Sequence, residues 1–145
     1  ACDIVLAKKS ARFAQAFSAI GLVPDAGGTW HLPRLMGQAR ALGFTLLNET
    51  LSAERAEAMG LIWRAIDDEL FEEEVNRIVD KLAKAPTFGL ASAKRAIRAS
   101  WTSTLDQSLD RERDMQRDCG LSPDYKEGVS AFKDKRPPAF TGGRP

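Results

Sequence analysis

The stretch Gly21-Leu22-Val23-Pro24-Asp25-Ala26-Gly27-Gly28-Thr29 decides how this chain is organised. A short apolar run ends at Pro24, and one carboxylate, two glycines and a threonine follow. The apolar residues of segment 30–46 then recur at mostly helical spacing, which predicts an extended segment that turns sharply into a helix. Gly27 and Gly28 allow the positive φ angles or close backbone approaches that such a turn requires.

Asp25 is the candidate catalytic residue of this turn. We expect Thr29 to cap the first helical turn, whose free N–H groups would point at whatever occupies the cleft. The positive end of the helix favours an ionised carboxylate at Asp25, and such a group can abstract or return a proton. The alternative is that Asp25 only initiates the turn, as aspartate commonly does.

The composition is that of an ordinary globular domain, and it argues against several functions. The 145 residues are 43% hydrophobic and 28% charged, which is typical of one soluble domain. A net charge of +1 gives no case for binding nucleic acid or an anionic membrane, and no apolar run approaches a membrane span. Cys2 and Cys119 lie far apart and only one histidine is present, so we expect no metal site and reduced thiols in a cytoplasmic protein.

Hydrophobic spacing predicts short strands in the first part of the chain and helices in the second. The strands or extended segments are expected at 4–7, 12–17 and 61–66. Helices are expected at 30–47 with a break near Gly37, at 53–59, from residue 67 or 68 to Pro86, and at 87–101, 104–120 and 122–136. Since the chain opens on the apolar segment Ala1–Ala7, as if inside a buried strand, we expect it to be the C-terminal part of a longer subunit.

Three stretches together resemble one protein family. Phe13–Thr29 ends in the turn quoted above, Leu51–Trp63 reads LSAERAEAMGLIW, and Glu127–Arg136 reads EGVSAFKDKR. In this order they are similar to the enoyl-CoA hydratase/isomerase family, also called crotonases, and the likeness covers essentially all 145 residues.

The narrower likeness is to the phenylacetate-pathway isomerases of this family, which act on ring-1,2-epoxyphenylacetyl-CoA. The Pro24-Asp25 pair, Phe88-Gly89-Leu90 and the segment Asp110–Asp114 are the residues that are similar.

The resemblance implies an α/β fold. It implies the last part of a crotonase-like ββα spiral at residues 1–66 and C-terminal trimerisation helices at 67–145. It also implies a trimer, often paired into a hexamer, with the polar helix at 104–120 and the final helix at subunit contacts. The two backbone N–H groups of the family's oxyanion hole would precede Ala1, so we expect the 145 residues alone to be inactive.

The resemblance also implies an activity. Hydratases of the family use two glutamates, one of which matches position 17, and Phe17 cannot take a proton. Isomerases of the family use an acid at the position of Asp25. The implied function is therefore an acyl-CoA isomerase in phenylacetate or fatty-acid degradation, acting on ring-1,2-epoxyphenylacetyl-CoA or a related enoyl-CoA. The alternatives are an enoyl-CoA hydratase and a non-catalytic assembly fragment.

Substrate binding is the last property that the resemblance implies. Phe132 and Lys135 match positions that help hold the adenine and phosphate of CoA; the alternatives are core packing for the ring and a solvated lysine. Trp30 could wall the acyl pocket or pack beneath its helix, and His31 is taken as structural. No cofactor is implied, because CoA is part of the acyl-CoA thioester substrate. The predicted substrate-binding residues are Phe17, Pro24, Gly27, Trp30, Phe132 and Lys135.

Overall fold

A computed structural model of the chain describes residues 2–145, and their contacts divide the chain into two units. The first unit is Ala1–Asn76 and the second is Arg77–Pro145. The boundary lies inside the helix Phe71–Ala83, whereas the sequence placed it just before this helix, at residues 66 and 67. The assignment of spiral and trimerisation roles to the two parts stays a prediction.

The first unit alternates short strands with helices. Its elements, in order, are β1 (Leu6–Lys8), β2 (Arg12–Ala14), a 3-10 turn (Ser18–Ile20), α1 (Gly28–Met36), α2 (Gln38–Leu46), β3 (Thr50–Ser52), α3 (Ala53–Ala58), β4 (Arg64–Ile66), a second 3-10 turn (Asp68–Leu70) and the start of α4 (Phe71–Ala83). The predicted break at Gly37 is confirmed, because this residue takes a φ of +82° between α1 and α2.

Two strand pairs organise the first unit. β1 runs parallel to β4, with Leu6 opposite Arg64, and β2 runs antiparallel to β3, with Phe13 opposite Leu51. The predicted strand at 4–7 was placed too early: β1 begins at Leu6, and Ile4 is 42% exposed. The expectation that the chain opens inside a buried strand is therefore wrong for residues 2–5, and Ala1 lies outside the described residues.

Two small apolar clusters hold the helices of the first unit on these strands. The first joins α1 and α2 to the strand residue Leu51, which is only 1% exposed. In the second, Ala53 and Ala56 of α3 are completely buried. The full clusters are Leu32, Met36, Ala41, Phe44 and Leu51, and Ala7, Ala53, Ala56 and Ile62. These contacts hold α1 in place, so the turn that precedes α1 is attached to a well-supported helix.

The second unit is helical. It contains the end of α4 and three further helices, α5 (Thr87–Ser100), α6 (Leu105–Leu121) and α7 (Pro123–Lys133). Thr104 and Gln107 form a capping box at the start of α6. Ser122 caps α7 and Pro123 is its first residue, so the predicted helix start is confirmed.

The helix predicted after residue 67 has an apolar face, and the described residues bury it only in part, since Phe71, Val75 and Ile78 are half-buried. None of the described residues of α4 is buried, and Val79 and Leu82 are 55% and 40% exposed. Spacing therefore identified the face correctly, whereas its burial depends on what packs against it.

The tail after α7 is not loose. Asp124 is 4% exposed, and its carboxylate accepts the backbone N–H groups of Thr141 and Gly142, both at 2.8 Å. The tail from residue 137 contains no helix or strand, and the buried carboxylate of Asp124 anchors it.

Among the helices of residues 2–145, none combines the length and the apolar character that a membrane span requires. Within these residues, no three His, Cys, Asp or Glu side chains lie close enough together to hold a metal ion.

Candidate active site

The turn before α1 presents Asp25 on the surface of the first unit. Asp25 is exposed, and its backbone carbonyl accepts the N–H of Gly28, the first residue of α1, at 2.8 Å. Ala26 and Gly27 both take positive φ, at +49° and +82°. These two left-handed residues turn the chain sharply between the carboxylate and the helix, so the predicted turn is confirmed.

The capping of α1 differs from the prediction. Gly27, not Thr29, is the N-cap, and it provides no side-chain capping bond. The carbonyl of Gly27 instead accepts the N–H groups of Trp30 and His31, at 3.0 and 2.9 Å. Thr29 is already the second helical residue, so its hydroxyl cannot cap from there. Most first-turn donors are therefore used within the turn itself.

The two glycines of the turn are needed for different reasons. Gly27 requires positive φ, and a Cβ there would lie 3.1 Å from the His31 ring. Gly28 is helical, but a Cβ there would lie 3.1 Å from the Cβ of Pro24. Larger residues would push Pro24, and with it Asp25, away from α1.

Trp30 lies on the surface. Its side chain is 42% exposed, and the guanidinium of Arg34 stacks over its ring at 3.2 Å from the centroid. The alternative of a tryptophan buried beneath the helix is therefore wrong for this unit, while a role as a pocket wall stays a prediction. The Arg34 contact holds the indole in one orientation.

Phe17 is half-buried and closes the turn that precedes the Asp25 segment. Its carbonyl accepts the N–H groups of Ile20 and Leu22, at 3.2 and 2.9 Å. The hydroxyl of Ser18 donates to the carbonyl of Thr45 at 2.8 Å and so ties this turn to α2. The aromatic ring thus stands where the resemblance places a hydratase glutamate, in a well-anchored segment.

Gln15 is a residue that the motifs did not indicate. Its side-chain oxygen is buried and has no hydrogen-bond partner among the described residues. Phe13, Gln15 and Phe17 are the less exposed positions of an alternating segment. Gln15 is thus a polar residue at an inward position of this alternating pattern. This combination could have identified Gln15 from the sequence, because a buried acceptor needs a donor.

In the second unit, the two predicted CoA-binding residues lie at the end of α7. The ring of Phe132 is 86% exposed, so the alternative of core packing is wrong for this unit. Lys135 is exposed and has a φ of +54°, which is left-handed and unusual for lysine. Among the described residues, no ion-pair partner approaches its ammonium within 4 Å.

The turn that carries Lys135 has the hydrogen bonds of a Schellman motif. The N–H of Lys135 donates to the carbonyl of Phe132 at 3.3 Å, and the N–H of Arg136 donates to that of Ala131 at 3.0 Å. Glycine usually occupies the left-handed position of this motif, because it has no Cβ. Here a lysine occupies it.

Glu127 fastens this turn to α7. Its two carboxylate oxygens accept the Arg136 guanidinium at 2.6 and 3.0 Å, and one of them also accepts the N–H of Ala139 at 2.7 Å. The Arg136 hydrogen bond, reinforced by that of Ala139, lowers the pKa of Glu127 from 4.5 to about 2. Both charged residues stood in the quoted EGVSAFKDKR motif, but nothing in their spacing indicated the pairing.

The second unit also has two open grooves, of about 490 and 370 Å³. Gly89, Gln116 and Cys119 line both of them, and no predicted site residue lines either. The predicted site residues therefore lie outside these two grooves.

Comparison with known proteins gives one consistent result. The family model for enoyl-CoA hydratase/isomerase matches residues 1–143. Over 140 residues, 97% of this chain, the sequence is 54% identical to a 1,2-epoxyphenylacetyl-CoA isomerase of Escherichia coli K12, of which it covers 53%. It is 48% identical over 142 residues to a probable enoyl-CoA hydratase of Rhodobacter capsulatus, covering 98% of this chain and 55% of that protein.

Solved structures show the same likeness in three dimensions. The crystal structure of an enoyl-CoA hydratase from Bacillus anthracis matches with a TM-score of 0.90 at 32% identity, over 97% of this chain and 55% of that one. The predicted crotonase-like α/β fold is thereby confirmed. The chain spans about half the length of the curated relatives it matches.

Proposed function

Since this chain belongs to the enoyl-CoA hydratase/isomerase family, we propose that its protein is an acyl-CoA isomerase with Asp25 as the general acid and base. The observation that carries the proposal is the exposed Asp25 carboxylate, held in a strained turn, together with the apolar Phe17 at the position of a hydratase glutamate. The 54% identity to the Escherichia coli isomerase supports a substrate of the same class, ring-1,2-epoxyphenylacetyl-CoA or a related enoyl-CoA.

The chemistry requires one base that removes a proton from carbon and returns it to another atom of the same substrate. A carboxylate can do both, because it leaves the first step as a carboxylic acid and is regenerated in the second. The thioester enolate formed between the two steps requires N–H donors at its oxygen. The N–H groups of Gly28, Trp30 and His31 already bond to carbonyls of the turn, so these donors must come from other backbone groups.

A hydratase is the second candidate, and the 48% identity to the Rhodobacter capsulatus protein favours it. Hydration needs a water that acidic residues position and activate. The ring of Phe17 can do neither, so a hydratase would have to use a different residue. A non-catalytic assembly subunit is the third candidate, and it requires neither activity.

The Asp25→Asn variant of the whole protein tests the proposal. The change keeps the side-chain shape and the turn-forming group but removes the proton acceptor. We expect the variant to fold and bind CoA thioesters while kcat falls by about 10²–10⁴-fold, with slower exchange of the α or γ proton of the substrate with solvent. Glu54→Gln is the matched control, since Glu54 is also an exposed carboxylate at a helix start, in the first turn of α3.

The outcomes separate the three candidates. Full isomerase activity in a folded Asp25→Asn protein would remove Asp25 from the mechanism. If the unaltered protein hydrates enoyl-CoA but does not isomerise it, the hydratase candidate replaces the isomerase. If the unaltered protein has neither activity, the non-catalytic assembly subunit is the remaining candidate.

The same proposal includes CoA binding by Phe132 and Lys135, a homotrimer or hexamer, and a cytoplasmic enzyme without a cofactor. The exposure of both side chains is compatible with ligand contact. A contact to a remote phosphate contributes mainly uniform binding, so Lys135→Ala should raise KM more than it lowers kcat. A monomeric mass in light scattering of the whole protein would contradict the assembly.

A further inference from the structure

The left-handed backbone of Lys135 is the observation from which this inference starts. A lysine at the glycine position of a Schellman motif carries conformational strain, and strain of this kind persists only where the surroundings impose it. A glycine would relieve the strain but would lose the ammonium group.

The surroundings that impose this conformation are on both sides of Lys135. After it, Arg136 is held by the two oxygens of Glu127, and Glu127 also binds the tail at Ala139. Before it, the carboxylate of Asp134 accepts the hydroxyl of Ser130 at 3.2 Å. The backbone of Lys135 is thus anchored from α7, whereas its ammonium stays available on the surface.

We propose that Glu127 is a positioning residue for ligand binding, which holds the turn that presents the Lys135 ammonium to a phosphate of CoA. The inference rests on the proposed CoA binding by Lys135. A lysine whose backbone is fixed loses less conformational freedom when it meets an anion than one on a mobile tail. The neighbouring Phe132, 86% exposed one turn earlier, offers an aromatic face for the adenine of the same ligand.

A double-mutant cycle on the whole protein tests this role, with calorimetric titration of CoA as the measurement. We expect Lys135→Ala to raise the Kd for CoA about tenfold, as the loss of one charge-assisted contact implies. Glu127→Gln should raise it about 3- to 10-fold, which is the cost of ordering one long side chain. In the Lys135→Ala background, Glu127→Gln should add nothing, because both changes remove the same contact.

Kinetics and a matched control distinguish positioning from a general loss of structure. Glu127→Gln should raise KM for the acyl-CoA and leave kcat at saturation unchanged. Glu57→Gln is the control, because Glu57 likewise accepts a backbone N–H, from Ala65 at 2.8 Å, in the other unit. It should change neither constant. If Glu127→Gln does not fold, Arg136→Lys, which keeps the charge but loses the two-oxygen pairing, carries the same test.

Three results would overturn the inference. They are an unchanged Kd in Glu127→Gln, a Glu127→Gln effect on Kd that is equally large with and without Lys135→Ala, and an unchanged Kd in Lys135→Ala. The last would also remove Lys135 from the proposed CoA site. The catalytic proposal for Asp25 stands or falls separately, since it is measured by kcat in Asp25→Asn.

Discussion

Gly60→Ala should destabilise the first unit far more than Gly21→Ala, although both glycines end a helical segment in the left-handed region. Gly60 follows α3 with a φ of +80°, and Gly21 follows the first 3-10 turn with a φ of +74°. A Cβ at Gly60 would lie 2.9 Å from the backbone carbonyl oxygen of Leu35 in α1. A Cβ at Gly21 would meet no atom within 4 Å.

The comparison separates two physical effects. Left-handed backbone costs a residue with a Cβ about 1–2 kcal/mol, and the smaller entropy of unfolded alanine returns about 0.4–1 kcal/mol at both positions. Only Gly60→Ala adds a clash with backbone, which cannot rotate away and costs about 1–3 kcal/mol. Gly60→Ala should therefore lower the free energy of unfolding by about 1–3 kcal/mol more than Gly21→Ala.

Urea unfolding of the two variants measures this difference. Both should show the slope of the parent protein, with the midpoint of Gly60→Ala clearly lower. The clash also presses on α1, so Gly60→Ala should disturb the Asp25 turn and reduce kcat at temperatures where it is still folded. Equal midpoints for the two variants would refute the steric argument and show that backbone conformation alone accounts for both glycines.

Three further predictions follow from burial and hydrogen bonding. Leu51→Ala should lower the free energy of unfolding by about 2–5 kcal/mol, because Leu51 is 1% exposed. Leu22→Ala, at a residue that is 58% exposed, should change it by less than about 0.5 kcal/mol. Equal losses for the two variants in urea unfolding would contradict this prediction. The pKa of Glu127 is lowered from 4.5 to about 2, so its ionised form stabilises the fold above about pH 4.5. The stability advantage of the parent protein over Glu127→Gln should therefore shrink as pH falls from 4.5 towards 2. A constant difference between their urea midpoints over that range would refute this prediction. The hydroxyl and N–H of Ser10 lower the pKa of Asp68, so Ser10→Ala should raise it towards the ordinary value in an NMR titration, and an unchanged titration would contradict the contact.

Several features could be predicted from the sequence because they depend on neighbours within a few residues. The helix start at residue 122, the helix break at Gly37 and the left-handed turn glycine Gly27 are confirmed. Each follows from local backbone geometry and short-range hydrogen bonds, which act the same way in any fold. The family likeness came from the same local motifs, read in order, and the match over residues 1–143 bears it out.

Other features depended on which surfaces meet. Nothing near Gly60 in the sequence indicates that the carbonyl oxygen of Leu35 lies against it. The apolar spacing of α4 likewise does not show that the described residues bury this face only in part. Helical spacing identifies a face but does not identify what packs on it.

The Glu127–Arg136 pair shows the physical reason most clearly. Nine positions separate the two residues, so no helical or strand periodicity brings them together. They meet because the Schellman turn at Lys135 reverses the chain and Asp124 anchors the tail beyond it. The local sequence determines short-range hydrogen bonds and backbone preferences. The pairing of distant charges depends instead on the path of the folded chain between them, and only the tertiary structure determines that path.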